Sequence, residues 1–121
     1  WRSGDNHAMS DTSTTLRHHL QQLEAELRAA ALWGSQPPSE QALASTMPFM
    51  YDTLQIEEWL QWVFVPRLHA LLDANAPLPG NCSVHPLAEH EWNSRFPQGP
   101  HATALQVLAR IDATLTVAAA G

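Results

Sequence analysis

A chain of 121 residues fits a single domain with a hydrophobic core of its own. Hydrophobic residues make up 45% of the chain and charged residues 15%, a composition that excludes an intrinsically disordered protein. Twelve acidic residues stand against six arginines and no lysine, so the formal net charge is −6. Since nucleic-acid binding depends on neutralising phosphates with Lys and Arg, this charge argues against direct, tight binding to DNA or RNA.

The start of the chain and its single cysteine set further expectations. Residues 1–8, "WRSGDNHA", precede Met9 without any periodicity and are interpreted as an expression remnant, which leaves residues 9–121 as one domain. Cys82 has no partner for an internal disulfide and is expected to be an unreactive thiol in a reducing compartment. The longest apolar run, "WVFV", is too short for a membrane span, and no signal peptide precedes Met9. We therefore expect a cytoplasmic protein.

Helical periodicity is strongest near the start of the domain. Apolar residues recur at the spacing of an amphipathic helix, at Leu16, Leu20, Leu23, Leu27 and Ala31. Thr14 or Thr15 is the expected N-cap of this helix, and Gly34 is the expected stop. The following "SQPPSEQALAST" allows at most one short helical turn, from Ser39 to Ala44. "MPFMY", residues 47–51, has neither a helical nor a strand period, and we expect an extended segment packed on the core.

The second long helix carries start signals of its own. Asp52 and Gln55 have capping-box spacing, and Tyr51 and Ile56 stand where a hydrophobic staple would close over the cap. Two glutamates follow in the first turns, which suits the positive end of the helix dipole. The pattern predicts a helix that runs to about residue 73.

The last part of the chain follows a proline- and glycine-rich connection, "NAPLPGNCSVHP". "HPLAEHEW" is expected to form a short helix with Pro86 in its first turn. The final helix is expected to start near Pro100 and to bury Leu105, Leu108, Ile111 and Leu115, together with Ala102 near its start. The sequence thus predicts an all-α fold, a single compact helical bundle with three main helices, one or two short helices and Pro-rich connections.

Two residues of the second long helix, here called the central helix, do not fit a simple amphipathic pattern, whereas Gln61 falls on the polar face as expected. At about 100° per residue, Arg67 projects into the middle of the apolar face. Trp62 leans towards the polar side. Pro66 removes a backbone donor and is expected to kink the helix axis.

Two interpretations of Arg67 and of Trp62 stay open. Arg67 has a structural role, in which it snorkels to solvent or pairs with Asp52, Glu57 or a freed carbonyl, or else it faces a pocket between helices and binds an anion. Trp62 is either a buried residue or a contact for a protein partner.

Residues 48–80 resemble a known protein family. The segments "PFMYDT", "EEWLQWVFVPRLHALLD" and "PLPG" are similar to the YqcC-like family of small bacterial proteins, and a weaker likeness extends to the first and last helices. The resemblance implies a compact helical array without an established activity or catalytic residues. Members are associated by genome position with a tRNA pseudouridine synthase, so the resemblance implies an accessory role in tRNA modification.

The sequence lacks the patterns of an enzyme or a metal site. "HPLAEHE" is one residue longer than the zinc-protease pattern H-x-x-E-H, and the neighbouring His18 and His19 point about 100° apart on a helix. Glu57 and Glu58 diverge in the same way and do not form an acid–base pair. A nucleophile elbow and a glycine-rich phosphate loop are both lacking. We therefore expect no catalytic residues, no metal and no cofactor.

The leading hypothesis is a non-enzymatic protein-interaction module, whose partner the resemblance suggests is a tRNA pseudouridine synthase. Its candidate surface lies near Pro66 and "PFMYDT" and comprises Phe49, Asp52, Glu58, Trp62 and Arg67. Homodimerisation through an exposed Trp62 is a variant of this hypothesis. The alternative is a small anionic-ligand-binding protein or enzyme with Arg67 in an inter-helix pocket. A third interpretation holds that these residues only maintain the fold.

Overall fold

The computed structural model describes the backbone of residues 3–80 and 83–120. Cys82 and the first two residues of the proposed remnant lie outside the described residues. Within the described ranges the chain is helical and contains no strand, which confirms the all-α prediction. The helices are α1 (Ser3–Ala29), α2 (Glu40–Leu43), α3 (Ile56–Trp59), α4 (Val65–Asp73), α5 (Val84–Arg95) and α6 (Ala102–Ala120). A 3₁₀ turn (Pro48–Met50) precedes α3, and a π-helical turn (Leu60–Phe64) joins α3 to α4.

Helix α1 buries the predicted leucines but has different ends. It begins at Ser3 rather than at Thr14 or Thr15, since the intervening residues include no proline to interrupt a helix. Its stop is Ala31, with φ 61°, and not Gly34. The Ala31 N–H donates to the carbonyl of residue 28, and the next N–H donates to the carbonyl of residue 27. These two bonds form a Schellman motif, which ends the helix before the glycine is reached.

Helix α3, the π-helical turn and α4 follow one another without a break and form the central helix, residues 56–73. The N–H of Val65 donates to the carbonyl of Leu60, five residues earlier instead of four. Pro66 comes next, in the first turn of α4. A wider turn relieves the clash between a proline ring and the carbonyl four residues before it. A π turn thus lies just ahead of Pro66, where the sequence predicted a kink, and it accommodates the proline ring.

The π turn changes which residues face the core. Buried apolar side chains of the central helix recur every four residues, at Ile56, Leu60, Phe64, Leu68 and Leu72. In a uniform α-helix each step of four would advance by about 40°, so these positions would spiral off one face. A π turn advances each residue by roughly 80°, which brings them back into line. The predicted direction was therefore wrong for Arg67, which follows the π turn and is exposed. It was also wrong for Gln61, which lies at the start of the π turn and is buried.

The core lies between α1, the central helix, α5 and α6. Helix α1 packs along α6, and α5 packs on α6 as well. The central helix meets α5 at its start and α1 at its end. Trp92 of α5 is fully buried in this cluster. Helix α5 is longer than the short helix expected from the sequence, and no helix in the described ranges has the length and apolarity needed to cross a membrane.

Carboxylates from neighbouring helices cap two of the helices. Asp112 of α6 accepts hydrogen bonds from the N–H groups of Val84, at 3.1 Å, and His85, at 2.8 Å, where α5 begins. Glu91 of α5 accepts the N–H of Ile56, at 3.1 Å, where α3 begins. First-turn N–H groups lack partners within their own helix, and a negative charge there also suits the helix dipole. Capping and packing are therefore coupled in this fold.

Candidate functional site

The segment from residue 47 to residue 51, here called the 47–51 turn, is not extended as expected but folds into a tight turn. Phe49 and Met50 have φ of 55° and 52°, in the left-handed region that non-glycine residues rarely adopt. Such a conformation persists only where the surroundings hold it in place. The expectation of an extended backbone was wrong because tertiary contacts outweigh the local preference.

Ring packing holds the 47–51 turn from beneath. The edge of the Phe49 ring meets the face of Trp59, with centroids 4.9 Å apart and planes at 77°. Trp59 in turn stacks on Phe64, at 5.0 Å and 27°. Edge-to-face and offset-stacked pairs at these distances are favourable arrangements of aromatic rings. The rings thus connect the 47–51 turn to the last residue of the π turn and to the core.

Side-chain hydrogen bonds hold both ends of the 47–51 turn. The Ser45 hydroxyl donates to Asp52 at 2.5 Å, and the Thr53 hydroxyl donates to the carbonyl of Ala42 at 2.7 Å. The Ser45 hydroxyl oxygen also accepts the N–H of Met47 at 3.2 Å. Asp52 is therefore engaged within this segment, at the protein surface.

The start of the central helix differs from the prediction. Gln55, and not Asp52, is the N-cap, and Glu58 accepts the Gln55 N–H at 2.9 Å. Tyr51 is 60% exposed, so the expected hydrophobic staple with Ile56 does not form. Glu58 is thus engaged in capping. The predicted box was displaced by one turn, because Gln55 and Glu58 have the same spacing as Asp52 and Gln55.

The outer side of the 47–51 turn is apolar and exposed. Met47 is 40% exposed and Tyr51 60% exposed, and Pro48 between them is exposed as well. Phe49 and Met50 are half-buried. The turn therefore anchors one ring inward while it presents two large side chains to solvent.

Trp62 and Arg67 lie further along the central helix. Trp62 is half-buried, so it is not the sealed core residue of one interpretation, and its role as a partner contact stays a prediction. Arg67 is exposed and makes no hydrogen bond or ion pair to any other residue that the structure describes. The suggested carboxylate partners are engaged elsewhere, Asp52 by Ser45 and Glu57 by Arg95. Arg67 thus projects from the surface instead of into the packed interfaces between helices.

A buried ionic cluster, missed in the sequence, joins the start of the central helix to α5. Glu57 is 7% exposed, and its two oxygens accept Arg95 Nη1 at 2.8 Å and Nη2 at 2.7 Å. Trp92 Nε1 donates to Glu57 Oε1 at 3.2 Å, and Arg95 Nη1 also donates to Glu91 at 2.7 Å. Glu91 and Arg95 had the i, i+4 spacing of a helical ion pair. Nothing local linked either of them to Glu57.

The pKa values in this cluster follow from its geometry. Burial by itself raises the pKa of Glu57. Hydrogen bonds from Arg95, from its own backbone and from Trp92, together with the charge of Arg95, outweigh burial and hold the Glu57 pKa below its ordinary value. The Glu57 hydrogen bond likewise raises the pKa of Arg95. Both groups are therefore ionised at neutral pH and form an ion pair that connects the central helix to α5.

Gln61 connects the central helix to the segment that follows α1. Its Oε1 accepts the N–H of Gly34 at 2.8 Å, and its Nε2 donates to the Gly34 carbonyl at 2.7 Å. The amide thereby satisfies both backbone groups of one residue in the connection after α1. Gln61 was expected on the polar face, but these two hydrogen bonds satisfy its amide and allow it to be buried.

Comparison with known proteins gives consistent results. The family described as tRNA pseudouridine synthase C (DUF446) matches residues 15–114. The uncharacterised protein YqcC of Escherichia coli K12 is 42% identical over 102 residues, which are 84% of this chain and 92% of that protein. The solution NMR structure of protein YqcC from E. coli superposes with a TM-score of 0.75 at 41% identity and covers 87% of this chain and 88% of that one.

A longer relative also matches. A protein of Pectobacterium carotovorum named tRNA pseudouridine synthase C is 44% identical over 80 residues, which are 66% of this chain but 21% of that protein. Most of that relative therefore lies outside the match. The family match and the YqcC relative cover most of the chain, and the chain belongs to the YqcC-like family, as the pattern of its residues predicted.

Proposed function

We propose that this protein is a non-enzymatic accessory module that binds a tRNA pseudouridine synthase in the cytoplasm. The observation that carries the proposal is the Pectobacterium relative, because a segment similar to this chain occupies 21% of a longer protein with the name of such an enzyme. Sharing one chain keeps two modules at a high effective concentration. A separate module must reach the same arrangement through an interface of its own.

The placement of the acidic groups supports a binding role over catalysis. Glu57 holds Arg95, Glu58 caps α3 within its own helix, and Glu91 and Asp112 cap neighbouring helices. These carboxylates are engaged in maintaining the fold. The net charge of −6 supports a division of labour in which the enzyme, and not this protein, contacts the tRNA.

The test is a binding measurement with the tRNA pseudouridine synthase C of the source organism. We expect saturable binding by titration calorimetry, no pseudouridine formation by this protein alone, and a changed modification rate when it is added to the enzyme. A pseudouridine synthase from another family is the control and should not bind. Absence of binding at protein concentrations up to about 100 μM, a level at which even weak complexes form, would refute the proposal.

Arg67 and Trp62 are the proposed contacts on the central helix. Arg67→Ala should weaken binding, because an exposed arginine is a frequent contributor to protein interfaces. Arg110→Ala removes another exposed arginine, on α6, and is the matched control. Equal losses for the two variants would point to a general charge effect and against a contact at Arg67.

A further inference from the structure

We infer that the 47–51 turn is the docking surface for the tRNA pseudouridine synthase, with Met47 and Tyr51 as apolar contacts inside an acidic surround that faces a basic region of the enzyme. This inference rests on the proposed function and adds to it the surface and the chemistry of the contact. The 47–51 turn supports this inference in three steps, through its exposure, its rigidity and its charge.

The first step is the exposure of large apolar side chains. Met47, Tyr51 and Val117 are the large hydrophobic residues that stand well exposed in the part of the chain that the structure describes. Met47 and Tyr51 belong to one short turn, with the exposed Pro48 between them, whereas Val117 stands on α6. Methionine and tyrosine are enriched in the buried centres of protein interfaces. The 47–51 turn is therefore the place where apolar exposure is concentrated.

The second step is the rigidity of the turn. Phe49 and Met50 hold left-handed backbone angles, which cost free energy and persist only when the surroundings impose them. The Phe49 ring packs against Trp59, and Asp52 accepts a hydrogen bond from the Ser45 hydroxyl. A turn that is already ordered loses little conformational entropy on binding. The strained turn thus holds the side chains of Met47 and Tyr51 in fixed positions on the surface.

The third step is charge, which indicates the kind of partner that binds the 47–51 turn. Residues 29–66 contain four carboxylates and no lysine or arginine, and only one of the four, Glu57, is neutralised by Arg95. Asp52 and Glu40 are exposed near the turn in sequence. An enzyme that binds tRNA needs a positively charged surface, and opposite potentials favour association. A second copy of this acidic chain would instead be repelled.

The experiment compares variants at matched exposed positions. The double variant Met47→Ser/Tyr51→Ser removes the apolar contacts and leaves the core intact, which circular dichroism and the melting temperature will check. We expect it to bind the source organism's synthase at least about tenfold more weakly than wild type, the size of effect that loss of an interface hot spot produces. Val117→Ser removes an apolar residue that is still more exposed and should bind like wild type.

Each outcome separates the inference from the proposed function. If wild type does not bind the synthase, the proposed function fails and the inference with it. If wild type and the double variant bind equally, the docking surface is wrong while the proposed function stands. If light scattering shows a wild-type dimer that the double variant abolishes, the 47–51 turn receives a second copy and the inference is overturned.

The salt dependence of the association rate tests whether the partner surface is basic. The association rate of wild type should fall as salt rises from about 0.05 M to about 0.5 M, because screening weakens attraction between opposite surfaces. Asp52→Asn should lower the rate at low salt and flatten this dependence. A rate that does not change with salt would overturn the assignment of a basic partner surface.

Discussion

Glu57 illustrates at the residue scale how one buried charge joins two helices. Glu57→Gln keeps the shape of the side chain but removes the charge, so Arg95 loses its bidentate ionic partner. At pH 7 we expect the free energy of unfolding to fall by about 2 kcal/mol, below the full cost of breaking a buried pair because Arg95 is partly exposed. Denaturant titration measures this change. The exposed Glu89→Gln is the control and should shift stability by less than about 0.5 kcal/mol.

The pH dependence of this effect has a defined sign. The Glu57 pKa is lower in the folded protein than its ordinary value of 4.5. Its contribution to stability is therefore complete above that value and is lost as the pH falls through the folded pKa. The difference in unfolding free energy between wild type and Glu57→Gln should be widest near pH 7 and should narrow between about pH 5 and about pH 3. A difference that stays constant over this range would contradict the assignment.

Ala31 offers a test in the opposite direction. Its left-handed φ of 61° costs a non-glycine residue about 1 kcal/mol, which glycine avoids. Ala31→Gly should therefore raise the melting temperature, by a stabilisation of about 0.5 kcal/mol after the greater flexibility of glycine in the unfolded chain is deducted. Ala25→Gly, at an exposed position inside α1, should lower stability by about 1 kcal/mol. If both Ala31→Gly and Ala25→Gly lower the stability of the protein, Ala31 is not left-handed in solution.

At the scale of elements, the π turn governs which residues the central helix presents. Two causes are available: Pro66, which disfavours a regular turn before it, and the four-residue spacing of the buried side chains. The spacing favours the π turn for the following reason. A regular α-helix through these residues would place Arg67 towards the core and Phe64 or Leu68 towards solvent. Burying an arginine without a partner and exposing a core residue together cost more than one strained turn.

Pro66→Ala distinguishes these causes. We expect the π turn to persist and the unfolding free energy to change by less than about 1 kcal/mol, because packing fixes the register. The measurement is the NMR coupling across the hydrogen bond from the Val65 N–H to the Leu60 carbonyl. A new bond from residue 66 to the Trp62 carbonyl would instead identify the proline as the cause.

The central helix also shows how far the sequence could predict this fold. The leucines of α1 and the four large apolar residues of α6 were placed correctly because both helices keep a uniform period, although Ala102 at the start of α6 is exposed. Arg67 was misplaced because the π turn rotates every residue after it. Gln61 was misplaced because its two hydrogen bonds to Gly34, 27 positions away, have no local signal in the sequence. The exact spacing of four between Ile56 and Leu72 was present in the sequence and is the signal that could have revealed the turn.

The candidate site was less predictable than the helices, for a physical reason. Phe49 and Met50 give no local sign of left-handed backbone, since neither is Gly or Asn, and the conformation depends on the Trp59 ring. Glu57 and Arg95 meet across 38 positions of sequence, where no periodicity applies. Tertiary contacts decide both features, and a pattern limited to neighbouring residues does not contain them.

At the scale of the whole molecule, the distribution of charge argues against direct binding to RNA. Arg17 pairs with Asp73 at 2.6 Å, Arg28 with Glu24 at 2.8 Å, and Arg95 with Glu57 at 2.7 Å. Among the described arginines this leaves Arg67 and Arg110 exposed without an ion pair, on different helices. Two isolated charges neutralise too few phosphates for stable binding.

We therefore expect the protein alone not to bind tRNA. Filter binding at about 0.1 M salt should detect no retention of bulk tRNA at protein concentrations up to about 10 μM. The source organism's synthase is the positive control. Saturable retention by this protein alone would mean that it carries an RNA surface that its charges do not explain.

The caps donated between helices have a consequence for synthesis on the ribosome. Asp112 lies 28 positions after Val84, whose N–H it accepts, so α5 leaves the exit tunnel before its cap does. Helix α5 in turn supplies Glu91 and Arg95 to the start of the central helix, which was made earlier still. A nascent chain that grows from its N-terminus thus accumulates segments that await later partners. The domain becomes complete only when α6 emerges, and a stalled or truncated product would lack the group that closes the sequence of contacts.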